Sequence, residues 1–190
     1  TVLELGGSNP FIILPDADLQ HAAIDACYSR FRDAGQSCNA AKRIVVTQDI
    51  AEQFIPLFLA ECAKLQTGNP KDPNTTLAPL HRQDLRQTVQ HLFVDPNRFY
   101  DAHGAQCLSG GYIPDGESWF YPATVLDQVN PNCRVWHEEV FGPVAMILRA
   151  DNPDHAVALA NDTPFGLGAC IYTADTANAW QYAEKIQAGS

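Results

Sequence analysis

Cys38 stands in Gly35-Gln36-Ser37-Cys38-Asn39-Ala40, between a helical stretch that fades at Arg30-Phe31-Arg32 and an apolar run at Ile44-Val45-Val46. A thiol at such a junction can face solvent. Backbone N–H groups, and Lys42 and Arg43 if they fold back, would stabilise its thiolate. The other reading is a small buried hydrophobe, which most cysteines are. Glu4 lies in Glu4-Leu5-Gly6-Gly7. An acid on an apolar strand that ends at two glycines can enter a cleft where backbones pass closely, or it can sit on a solvated strand edge. Glu138-Glu139-Val140-Phe141-Gly142-Pro143 precedes the strongest apolar run, and by itself reads as a solvated turn. Cys133 and His137 have the spacing of half a zinc site, but no second pair of ligands matches, so no metal is expected. The sequence contains no glycine-rich phosphate loop and no serine elbow.

These residues need elements to hold them. Residues 1–5 read as a strand running into the two glycines, and Phe11-Ile12-Ile13-Leu14 as a buried strand with both faces covered. Asp18 is placed to cap a helix with an apolar stripe at Leu19, Ala22, Ala23, Ala26 and Cys27. Ile44-Val45-Val46 is a further strand. Asp49 and Glu52 have capping-box spacing ahead of a helix over 54–65, with Pro56 near its first turn or kinking it. Residues 68–79, with three prolines, read as a loop, 82–92 as a helix, and 106–108 as a short strand before a Gly110-Gly111 turn. Residues 120–125 read as extended, 144–148 as a strand, Asn152-Pro153 as a helix start, 169–172 as a last strand and 174–188 as a last helix. Strand and helix alternate throughout. That predicts an α/β domain with a doubly wound, largely parallel sheet and helices on both faces.

Composition limits the partners. Twelve Lys+Arg against 22 Asp+Glu give the 190 residues a formal charge of −10, which disfavours nucleic acid and anionic membranes. A hydrophobic content of 46% supports a full core. No apolar run approaches the ~20 residues of a membrane-spanning helix. The six cysteines are widely spaced, so free thiols and a cytoplasmic setting are expected, with the five other than Cys38 in the core. The only methionine is Met146 and the chain starts directly on a strand pattern, so a trimmed domain of something longer is expected.

Taken in order, Glu4-Leu5-Gly6-Gly7, Gly35-Gln36-x-Cys38, Glu138-Glu139-Val140-Phe141-Gly142-Pro143 and Asn161-Asp162-x-x-Phe165-Gly166-Leu167 resemble the aldehyde dehydrogenase superfamily over essentially the whole chain. The resemblance implies that Cys38 is the catalytic nucleophile and Glu4 the general base for deacylation. It implies that Glu139 bonds the nicotinamide ribose and that Phe141 packs near the nicotinamide. The substrate is then a small aldehyde and the cofactor NAD or NADP. Arg32, six residues before the thiol, and Ala40-Ala41-Lys42-Arg43 resemble bacterial succinate-semialdehyde dehydrogenases. There the arginine binds the distal carboxylate, a task that suits a bidentate guanidinium. Arg32 also reads as a cation answering a helix C-terminus. Asp33 stands where the family carries Asn, and its charge would repel an anionic substrate. Family chains are much longer, so residues 1–190 are expected to be the catalytic domain alone. The cofactor-binding domain and the oligomerisation segment would lie elsewhere, with a homo-oligomer for the whole protein. The isolated chain is expected to bind cofactor poorly, leaving an inactive folded module or a weak cysteine esterase as alternatives.

Overall fold

The computed structural model describes residues 1–2, 5–93, 104–116 and 118–190. Among these residues six strands form one sheet: β1 (Asn9–Ile13), β2 (Ala41–Thr47), β3 (Gln106–Ser109), β4 (Thr124–Asp127), β5 (Val144–Ala150) and β6 (Cys170–Tyr172), in the order β3-β4-β5-β2-β1-β6. Every pairing is parallel except β3 with β4. The helices are α1 (Leu19–Phe31), α2 (Gln48–Cys62), α3 (Gln83–Phe93), α4 (Arg134–His137), α5 (Pro153–Asn161) and α6 (Thr176–Ala183). The chain is therefore the α/β domain that strand–helix alternation predicts.

Burial explains the central strands. All seven positions of β2 are buried, so both of its faces are covered. α1 packs on α2 and on β1, β2 and β5, while α5 packs on the same three strands and on α6. Stacked Phe54 and Phe58, with ring centroids 5.7 Å apart, bring α2 towards Phe31 of α1. Caps fix the helix starts. The Asp18 carboxylate accepts the N–H groups of Gln20 and His21, and the Asn152 side chain accepts that of His155 with Pro153 at the first helical position.

Several expectations fail for identifiable reasons. The described residues 1–2 and 5–8 are in no strand, and β1 starts at Asn9, because Gly6 takes φ +74° and breaks the extended path. Leu3 and Glu4 lie outside the described residues. α2 starts at Gln48, with no side-chain cap, so the Asp49–Glu52 box does not form. Glu52 instead pairs with Arg149 (2.6 Å), and Pro56 is accommodated inside the helix. α4 is a single turn, too short to show periodicity. The last helix ends at Ala183, and the chain then runs back until Ala169 N–H donates to the Ser190 carbonyl (2.9 Å). All six cysteines are free, but not all are core: Cys170 is exposed because β6 is an edge strand.

Candidate active site

Four loops feed the amino-terminal ends of four adjacent parallel strands. Residues 5–8 enter β1, 35–40 enter β2, 138–143 enter β5 and 162–169 enter β6. In sheet order these strands are β5-β2-β1-β6. Motifs separated by up to 160 residues are thus side by side. Open α/β sheets usually bind ligands beyond the carboxyl ends of their strands; here the candidate residues gather at the opposite edge.

The contacts between loops are specific. Glu139 Oε1 accepts the Gly7 N–H at 3.0 Å and stands 3.3 Å from Lys42 Nζ. Lys42 in turn donates to the carbonyls of Ser37 (2.9 Å) and Cys38 (3.1 Å). The Asn9 side chain spans three loops: its amide donates to the Asn39 carbonyl (3.1 Å) and its oxygen accepts the Gly168 N–H (3.1 Å). Trp136 Nε1 donates to Asp162 (3.0 Å), joining the loop before β5 to the one before β6. Cys38 itself is half-buried, in a turn closed by the Ala40 N–H on the Ser37 carbonyl.

Gly7 allows this convergence. A Cβ there would fall on the Cys38 carbonyl oxygen, closer than real Cβ atoms approach, with the Leu167 side chain 3.4 Å away on another side. Gly7→Ala therefore pushes backbone against backbone at the thiol-bearing turn. We expect a loss of about 1–3 kcal/mol in stability by thermal melting and altered alkylation of Cys38. An unchanged melting temperature with unchanged alkylation contradicts the close approach.

Two buried arginines hold the loops, Arg30, which no sequence motif marks, and Arg43, which the sequence places near the thiol. Arg30 is fully buried and donates from Nη2 to the carbonyls of Gly35 (3.2 Å), Val140 (3.3 Å) and Gly142. It ties the loop before the thiol to the loop of the paired acids. Burial pushes its pKa down to about 9, with Glu139 opposing the shift. Arg43 does not fold back on the thiol. It donates to the carbonyls of Ser8 (2.8 Å), Leu159 (2.8 Å) and Ala160 (2.9 Å), closing the C-terminal end of α5. Lys42 does turn back to this segment, but onto the carbonyls of Ser37 and Cys38 and not onto the thiol.

Arg32 caps the C-terminal end of α1, with its side chain 65% exposed. Its guanidinium lies 3.5 Å from Asp33 and over the Tyr28 ring at 5.9 Å. Asp33, Ala34 and Gly35 all take positive φ (53°, 54° and 71°). Only the last does so without strain, and a Cβ on Gly35 would also strike Arg30 and the Gly142 carbonyl. Phe141 is exposed between buried Val140 and Gly142, two residues after partly buried Glu139. His137 Nε2 bonds the Pro131 carbonyl (2.7 Å), and no group of three or more His, Cys, Asp or Glu could hold a metal ion among the described residues. Among them, too, no helix is long and apolar enough to cross a membrane.

Comparison with known proteins points the same way. A sequence model described as the aldehyde dehydrogenase family matches residues 1–190. A protein of Escherichia coli (strain K12), named succinate semialdehyde dehydrogenase, NAD(P)+, is 44% identical over 188 residues, which is 99% of this chain and 40% of that protein. An aldehyde dehydrogenase of Paenarthrobacter nicotinovorans is 42% identical over 189 residues, covering 100% of this chain and 40% of the relative. Among solved structures, an NAD-dependent aldehyde dehydrogenase from Sinorhizobium meliloti superposes with a TM-score of 0.91 at 34% identity, over 98% of this chain and 36% of that one. The NADP-dependent glyceraldehyde-3-phosphate dehydrogenase of Bacillus halodurans C-125, complexed with NADP, gives 0.88 at 34% identity, over 99% and 38%. The chain thus spans about two-fifths of the length of these relatives.

Proposed function

The chain belongs to the aldehyde dehydrogenase family, and from that premise we propose that it is the thiol-bearing catalytic domain of an NAD(P)+-dependent enzyme that oxidises succinic semialdehyde to the dicarboxylic acid. The observation that carries this reading is the junction of the Cys38 turn, Gly7 and Glu139 through Lys42. It brings the reacting thiol, the segment just after Glu4 and the acid assigned to the cofactor to one edge of the sheet.

The chemistry follows from the residue types. The Cys38 thiolate adds to the aldehyde carbon and gives a thiohemiacetal, a reaction that suits a soft nucleophile. NAD(P)+ held at its nicotinamide end by Glu139 and Phe141 would supply the acceptor for the hydride, leaving a thioester on Cys38. Phe141 is exposed two residues after the partly buried Glu139, which supports a role for this loop towards an aromatic, hydroxylated group of that kind. Glu4 then removes a proton from the water that attacks the thioester, and Cys38 leaves as thiolate. A positioned carboxylate of this sort accelerates such a step by roughly 10²–10⁴-fold.

Substrate choice falls to Arg32 and its neighbour. In this reading the Arg32 guanidinium receives the distal carboxylate, and Asp33 at 3.5 Å competes for it. Arg32→Ala should raise KM for succinic semialdehyde by roughly 10–100-fold and leave an uncharged aldehyde of similar size nearly unaffected. Asp33→Asn should lower that KM a few-fold by removing the competing charge. Equal losses on charged and uncharged aldehydes overturn the carboxylate role. The reaction class is tested by following nicotinamide reduction in the whole protein. Turnover with succinic semialdehyde is expected, and no turnover with any aldehyde ends the proposal.

A further inference from the structure

Lys42 is a buried lysine at the start of β2, four residues after the thiol, with no exposed side-chain surface. Burying an ammonium is costly, so it must be held by partners. Those partners are the Ser37 and Cys38 carbonyls at 2.9 and 3.1 Å and the Glu139 carboxylate at 3.3 Å. The same carboxylate oxygen also accepts the Gly7 N–H. One ammonium therefore touches the thiol-bearing turn and the acid of the loop before β5, and reaches the loop before β1 through that acid.

We propose that Lys42 is the positioning residue of this site: its ammonium fixes the Cys38 backbone and the Glu139 carboxylate in a single relative geometry and places a positive charge against the thiol-bearing turn. The catalytic meaning of this role rests on the proposed function, but the placement itself can be read on Cys38 without aldehyde or cofactor. Three charged or titratable groups act on Lys42. Burial, together with Arg30 of α1, pushes its pKa down to about 8, while Glu139 and Cys38 pull it up. The ammonium therefore loses its proton just above neutrality. A neutral amine still donates hydrogen bonds, but it no longer favours an anion beside it.

The test is the rate at which iodoacetamide labels Cys38, read by peptide mass spectrometry from pH 6.5 to 9.5, with exposed Cys170 as the internal standard. Labelling proceeds through the thiolate, which a neighbouring cation favours. Wild type should label roughly tenfold faster than Lys42→Met below pH 8, and the ratio should fall towards one above pH 9 as Lys42 deprotonates. Lys42→Arg should stay near wild type across the range. Lys42→Gln, which keeps a hydrogen-bond donor but carries no charge, should label like Lys42→Met, and it provides the test if Lys42→Met does not fold. A ratio of one at pH 7, a ratio that does not change with pH, or a Lys42→Arg rate equal to that of Lys42→Met overturns the proposal. Absence of aldehyde turnover in wild type would instead count against the function and leave this comparison standing.

Discussion

Cys38→Ala should lower aldehyde-dependent reduction of NAD(P)+ by roughly 10⁴-fold or more, the scale on which loss of a covalent nucleophile is felt. The thermal midpoint should hardly move, because Cys38 is half-buried in a turn and lies outside the packed core. The other five thiols are unsuited to replace it. Cys27 and Cys62 are in the core between α1 and α2, Cys133 precedes α4, and Cys107 and Cys170 are on the outer strands β3 and β6. A variant that keeps a tenth of wild-type turnover would remove the nucleophile assignment.

Arg30→Met should have the largest effect on stability. It leaves the carbonyls of Gly35 and Val140 without their shared donor in a place water does not reach, while that of Gly142 keeps the Val144 N–H (2.8 Å). Each buried, unpaired acceptor costs about 1–3 kcal/mol. The loss is partly offset because the guanidinium is itself incompletely satisfied, with Nε and Nη1 unpartnered. A net loss of about 3 kcal/mol is expected, which for a chain of this size is a fall of about 6–12 °C in Tm. Arg30→Lys should recover only part of it, since all three carbonyls are served by the outermost nitrogen, Nη2, and the lysine side chain is one atom shorter. A Tm within 2 °C of wild type would show that the two loops do not depend on this bridge.

The sequence is legible where a pattern is long or a cap is chemically distinct. Continuous apolar runs identify the interior strands β1, β2 and β5, and Asp18 and Asn152-Pro153 mark their helix starts. Its order of motifs also marks the candidate site, because each motif immediately precedes a strand. What the sequence does not carry is the strand order that makes those loops neighbours. β6 comes last in the chain yet lies beside β1. Arg30 is missed for a related reason. An arginine on the last turn of an apolar helix reads as a surface cation, and only its three distant carbonyls reveal a bridge. Lys42 is noticed as a neighbour of the thiol, but its contact with Glu139, nearly one hundred residues away, is a product of the β2–β5 pairing. The false capping box at Asp49 and Glu52 fails because Glu52 finds Arg149 on β5 instead.

The central claim is that the edge formed by the loops before β5, β2, β1 and β6 is one active site with Cys38 as its reacting atom. It is tested most directly by trapping the acylated protein. Whole protein carrying Glu4→Gln, mixed with succinic semialdehyde and NAD(P)+ and quenched in acid, should accumulate a succinyl thioester on the peptide that contains Cys38 and on no other, by peptide mass spectrometry. An adduct on a different residue, or continued turnover by that variant at the wild-type rate with no adduct on Cys38, would contradict it.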